Sequence, residues 1–260
     1  MALKDIKSFR GIYQLNEFND DNGNQFFQLI KLNYLKNSGV DIEDPKKNRF
    51  DLLDQFENDS KLDCNLSRVK RKIFEYVYCN PWEWFFTGTI DPKKYDAFNL
   101  DQYHKDLTKF IANFNFRYNL RIKFLFIPEK HKVSGGWHVH GFFMGLPEKY
   151  LIPFTTSDFI PKQMLYKLKK GSQLYHWKQY EKRFGFCDLE PIRNHEAVSK
   201  YVTKYVTKEL ENGVTEIGAH SYYCSRGLKT KKVLNRGYLP ENFERVPDFK
   251  NEYIEIWNNL

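Results

Sequence analysis

The chain has 260 residues, 41% hydrophobic and 17% aromatic, which is enough apolar material for one large domain or a domain with an appendage. Lys and Arg number 41 against 33 Asp and Glu, a formal charge of +8 that favours a polyanionic partner, although positive charge also serves solubility. The start MALKDIKSFRG has no apolar h-region, no run is long enough to span a bilayer, and Cys64, Cys79, Cys187 and Cys224 form no CxxC pair. These features argue against a secretory leader, a membrane span, a disulfide framework and a zinc finger, and they predict a soluble protein of a reducing cytoplasm.

Residues 1–66 are polar and rich in Asn and Asp, interrupted by apolar islands such as FFQLIKLNYL, and read as an appended segment. Within it DNGN predicts a hairpin turn between two short strands. LSRVKRKIFEYVYCN predicts a basic helix, with Val69, Ile73 and Val77 at helical spacing. EWFFTGTID (83–91) predicts a strand stopped by Asp-Pro. LDQYHKDLTKFIANFNFRYNL predicts an amphipathic helix burying Leu107, Phe110, Ile111 and Phe114. RIKFLFIPE and WHVHGFFMGL predict two antiparallel strands joined by KHKVSGG. YHWKQYEKRFG and NHEAVSKYVTKYVTKEL predict two further helices, the second capped by Asn194 and followed by Gly213. No repeat, Walker A motif or GxGxxG is present. The order from residue 80 predicts an α+β domain over 67–235, an antiparallel sheet with packed helices, followed by a tail over 236–260.

GGWHVHGFFMG carries His138 and His140 two apart, so on a strand both project from one face. Alone, the pair is equally explained by half-buried polar residues in a sheet. Glu129 changes that balance, because a hairpin across KHKVSGG brings its carboxylate near both imidazoles. Two nitrogens and one oxygen with open positions suit Mn2+, and Mg2+ is also plausible where water and phosphate oxygens complete the shell. His131, in the same turn, is a further ligand candidate.

SKYVTKYVTK (199–208) sets Tyr201, Lys204, Tyr205 and Lys208 on one helix face, beside a stripe of Val198, Val202 and Val206. A phenol is a poor nucleophile at neutral pH. Neighbouring lysines favour the phenolate, and a metal can polarise a phosphate under attack. The same spacing also fits an ordinary amphipathic helix.

In order, FFTGTI, FIPEKHKVSGGWHVHGFF and VSKYVTKYVTK resemble the three motifs of HUH-type rolling-circle replication initiators. The likeness covers roughly residues 70–232. It points in particular to replication proteins of single-stranded DNA phages and of related plasmids or integrated elements. It implies a ferredoxin/RRM-like core, His138 and His140 as the metal pair, Glu129 as third ligand, and Mn2+ or Mg2+ as cofactor. It implies Tyr201 and Tyr205 as paired nucleophiles with Lys204 and Lys208 as their helix partners. Thr87 and Thr89 of the first motif are structural or DNA-facing in that scheme. SYYCSRGLKTKK (221–232), with Arg226 and Lys229, suits a DNA backbone contact. The implied reaction nicks and rejoins single-stranded origin DNA through a 5′-phosphotyrosine, in a bacterial host cytoplasm, with a separate helicase and polymerase. Three other classes remain: a non-enzymatic nucleic-acid-binding module, a hydrolytic metal nuclease, and a relaxase or single-tyrosine transposase. The tyrosines following the histidines favour an initiator over a relaxase.

Overall fold

The computed structural model describes residues 12–20, 23–32, 68–131, 135–193, 221–238, 243–250 and 254–258. Strands β1 (Ile12–Asn19) and β2 (Gln25–Leu32) form the expected hairpin. The Asp20 carboxylate closes its turn by accepting from the Asn24 backbone N–H at 2.7 Å and from its side-chain amide at 2.8 Å. Gly23 supplies the left-handed φ of 81° that such a turn needs. Helix α1 follows over residues 68–78, then β3 (Trp84–Thr89) and α2 (Leu100–Tyr118). Next come β4 (Lys123–Lys130), β5 (Trp137–Met144), the two-residue β6 (Ile152–Pro153) and α3 (Lys162–Lys169). β7 (Tyr175–His176), α4 (Lys178–Arg183), β8 (Cys187–Pro191) and β9 (Tyr223–Cys224) complete this part. The last strands are β10 (Lys232–Tyr238), β11 (Phe249–Lys250) and β12 (Ile254–Asn258).

Two antiparallel sheets and four α-helices among the described residues make this an α+β protein. Two compact units divide the chain: Leu62–Leu228, and Met1–Lys61 together with Lys229–Leu260. In the second of these, the strand order β10-β1-β2-β12-β11 joins both ends of the chain in one sheet around Phe18, Leu29, Ile30 and Trp257. β10 runs through the domain boundary expected at residue 235, so the segment over 1–66 and the tail over 236–260 share one sheet instead of standing apart.

The larger unit holds the seven-stranded sheet β6-β7-β8-β3-β5-β4-β9. Alternation sorts its side chains into two layers. One face sends Phe86, Phe126, Val139, Phe143 and Leu189 into a core closed by Leu107, Ile111 and Phe114 of α2 and Tyr180 of α4. The other sends Leu125, Ile127 and Phe142 against Ile73 and Val77 of α1. α2 starts where Asn99 accepts from the Gln102 N–H and stops at Asn119, which adopts a left-handed φ of 50°. Its buried stripe differs from the expected one at two places. Phe110 is only partly buried, and Tyr103 is buried, its hydroxyl bonded to that of Tyr180 at 2.7 Å. The helix expected over YHWKQYEKRFG is shorter, because Tyr175 and His176 pair with β6 and β8 as β7.

Gly88 and Gly141 let β3 and β5 press onto neighbouring layers. A Cβ on Gly141 would collide with the Leu125 carbonyl oxygen and stand 2.9 Å from the Phe126 Cα; one on Gly88 would stand 2.6 Å from the Tyr180 hydroxyl. Backbone on a paired strand cannot yield, so Gly141→Ala is expected to lower unfolding free energy by about 1–3 kcal/mol or more. Phe159→Ala, at a fully exposed ring, should stay within about 0.5 kcal/mol. Denaturant unfolding of the two variants measures both.

Candidate active site

Three strands bring the predicted metal ligands together. β5 lies between β3 and β4, with Thr87 opposite His140, Thr89 opposite His138, and Glu129 opposite His138. Directly paired residues of antiparallel strands share a face, so Thr87, Thr89, His138, His140 and Glu129 all project from the α1 side of the sheet. The core residues Val139 and Gly141 alternate with them and anchor the opposite face.

His140 Nε2 is 2.9 Å from Glu129 Oε2, with side chains 17% and 34% exposed, so the pair is reachable from solvent. Each imidazole turns its other nitrogen toward β3: His140 Nδ1 stands 3.5 Å from Thr87 Oγ1, and His138 Nδ1 stands 3.5 Å from Thr89 Oγ1. The His131 ring stacks on that of His138, with centroids 5.3 Å apart. The hydrogen bond from His140 holds the Glu129 carboxyl below its ordinary range, against the opposing effect of burial and with help from the charges of His140, His138 and His131. Burial pushes the His138 imidazole down, and His131 and His140 push it further, with Glu129 opposing. The cluster therefore presents an ionised carboxylate and a largely neutral His138, the forms in which both act as ligands.

Among the described residues no group of three His, Cys, Asp or Glu side chains is arranged to hold a metal ion. His140 and Glu129 face each other instead. The donor set nonetheless fits a divalent cation. Neighbouring ligand atoms about 2.1 Å from an octahedral ion lie about 3 Å apart, and the His140–Glu129 separation of 2.9 Å matches that spacing.

The stretch holding Tyr201, Lys204, Tyr205 and Lys208 lies outside the described residues. Its described flanks do not: Ile192 and Tyr222 both pack on the cluster of Ile73, Leu125 and Phe142, on the same face of the sheet as the histidines. Arg226 and Lys229 are exposed. Ser225 pairs with Phe124 at the start of β4, which sets the Arg226 turn five residues, or about 17 Å, from Glu129.

Asp188 did not stand out in the sequence. On β8 it pairs with Thr87 and so joins the same face as the histidines. Its signal was the alternation in FCDLEP, apolar residues facing the core and acids the other side. Burial pushes its carboxyl up to about 6, with Lys167 and His140 opposing and Glu190 adding. A carboxyl raised above its unfolded value stabilises nothing when ionised. The ionised form is disfavoured in the folded state, so stability is highest below about pH 4 and is lost as pH rises through 6. Asp188→Asn removes that penalty. Its melting temperature should exceed that of the parent at pH 8, by the equivalent of on the order of 2 kcal/mol, and the difference should vanish by pH 4. A difference independent of pH would mean that Asp188 is not held against its ionisation.

A family model of replication-associated proteins, those of the ORF2 type, matches residues 83–210, a stretch running from the residue before β3 past the two tyrosines. No curated protein and no solved structure matches the chain. No helix among the described residues is long and apolar enough to cross a membrane. Over residues 83–210, and with its acid–imidazole cluster inside them, the chain is similar to replication-associated proteins, a likeness that supports a role in the initiation of replication and, with it, binding to DNA.

Proposed function

We propose that the protein is a rolling-circle replication initiator of the HUH type that nicks and rejoins single-stranded origin DNA through a 5′-phosphotyrosine. The observation that carries this reading is the convergence of Glu129, His138 and His140 on one reachable face of the sheet. The tyrosine stretch supports it, since its two described flanks, Ile192 and Tyr222, pack on that same face. The likeness to replication-associated proteins spans both parts.

In this reading Glu129, His138 and His140 hold Mn2+ or Mg2+, which supplies charge stabilisation to a phosphate under attack. Tyr201 or Tyr205 loses its phenolic proton, and its oxygen forms a bond to phosphorus. The 3′-oxygen of the neighbouring nucleotide leaves and takes up a proton, giving a free 3′-OH that primes synthesis. The phosphodiester is exchanged for a phosphotyrosine ester, so the later attack of a 3′-OH on it reseals the strand without ATP. Lys204 and Lys208 favour the phenolate by their charge. Two tyrosines four apart stand about 40° apart around a helix, so one can open the strand and the other can release the completed circle. A separate helicase and polymerase would complete replication in a bacterial host cytoplasm. The excess of basic residues suits phosphate binding.

Incubating the protein with origin single strands and resolving covalent adducts tests the nucleophiles. Tyr201→Phe and Tyr205→Phe should each leave some adduct, and the double variant should leave none. Cleavage without any adduct would mean that water is the nucleophile. Cleavage in excess chelator, or by His138→Ala with His140→Ala, should fall on the order of 10^3-fold. Full cleavage under either condition overturns the metal assignment.

A further inference from the structure

The β3 sequence Thr87-Gly88-Thr89 repeats the spacing of His138-Val139-His140 on β5, and the register sets the two pairs face to face. Both threonine hydroxyls stand 3.5 Å from an Nδ1, at the long end of hydrogen-bonding distance. The fold does not require those hydroxyls. Valine has the same branched shape and suits a half-buried strand at least as well.

What the hydroxyl adds is the ability both to donate and to accept. In the neutral ring of His140, Nε2 faces the acceptor-only carboxylate of Glu129 and therefore carries the proton. Nδ1 is then unprotonated, and Thr87 can serve it only as a donor. If Nε2 is to give its lone pair to a cation, the ring must carry its single proton on Nδ1, and Thr87 must then accept. The ring stays neutral in both forms: one proton leaves Nε2 to water, one arrives at Nδ1 from water, and the hydroxyl turns. An ionised carboxylate at position 87 could only accept, and a lysine could only donate. Metal-bound imidazoles almost always donate their other N–H to an oxygen, which fixes ring orientation and raises ligand basicity.

We propose that Thr87 and Thr89 are positioning residues for the cation site. They hold His140 and His138 by Nδ1 in either tautomer, so that Nε2 can exchange the Glu129 carboxylate or solvent for a divalent ion. The inference rests on the metal reading given above and adds to it two residues that touch neither ion nor DNA.

The test uses the full chain with Thr87→Val, Thr89→Val and the corresponding Ser substitutions. Mn2+ binding is measured by calorimetry, ring nitrogen chemical shifts of the metal-free protein by NMR, and folding by thermal melting. Each Val variant is expected to bind Mn2+ about 10–100-fold more weakly. The Ser variants should bind within a few-fold of the parent. In metal-free Thr87→Val the His140 nitrogens should move away from their parental shifts, a change that a merely structural role would not produce at unchanged melting temperature. If a Val variant melts early, the Ser variant and the nitrogen shifts still decide. Parental Mn2+ binding with unchanged affinity in both Val variants overturns this inference and leaves the metal site standing, as does a loss confined to single-stranded DNA binding. A parent that binds neither Mn2+ nor Mg2+ overturns the metal reading and this inference together.

Discussion

β5 is hydrogen-bonded along both edges, to β3 from Thr89–His138 up to Trp84–Phe143 and to β4 from Lys130–Trp137 up to Lys123–Met144. A strand held on two sides cannot slip by one residue without breaking both ladders. A slip would also carry Val139, Gly141 and Phe143 out of the core and drive the imidazoles into it. That double lock keeps two histidines, a carboxylate and two hydroxyls on one face, although none of the five is consecutive with another in sequence. The electrostatics of the cluster, including the low carboxyl of Glu129 and the low imidazole of His138, follow from the spacing that the ladders impose.

Behind the polar face the sheet rests on a layer of aromatic rings. Phe86, Phe126, Phe143 and Tyr180 stand with centroids 5.1–5.5 Å apart, mostly edge to face. Gly88 and Gly141 are the points at which the strands come too close to their neighbours for any side chain. Each lies directly beside a residue of the polar cluster, Thr87 and Thr89 flanking the first and His140 preceding the second. The support for the site is thus a packed layer one residue away, with little freedom to let the ligand side chains drift.

Much of this was legible in the sequence because it is local. HVH shows a two-residue period, FIPE ends a strand, and KHKVSGG is a tight connection, so the pairing of Glu129 with His138 follows from counting back across a hairpin. α2 could be read from its apolar stripe, apart from Tyr103, whose burial depends on a partner hydroxyl 77 residues away at Tyr180. Asp188 escaped notice for the same reason. Nothing within FCDLEP says that β8 lies beside β3, and only that pairing carries the acid to the histidines. α3 has a weak apolar pattern, KQMLYKLK, with Met164 its one buried residue, so its helical period did not stand out. The union of β1 and β2 with β10 and β12 rests on contacts spanning most of the chain, for which no local pattern exists.

That union bears on how the chain is made. Ile12 pairs with Tyr238, so the small sheet closes only after nearly the whole polypeptide has left the ribosome, whereas the unit from Leu62 to Leu228 is one uninterrupted stretch. During synthesis the N-terminal hairpin emerges first yet has only one of its neighbouring strands, the one it forms with itself, and a lone hairpin is marginal in water. It must wait while the larger unit, richer in nearby partners, takes shape ahead of it. The order of assembly is therefore the reverse of the order of synthesis at the front of the chain. The edges of β1 and β2 stay open for association with other strands until β10 and β12 arrive.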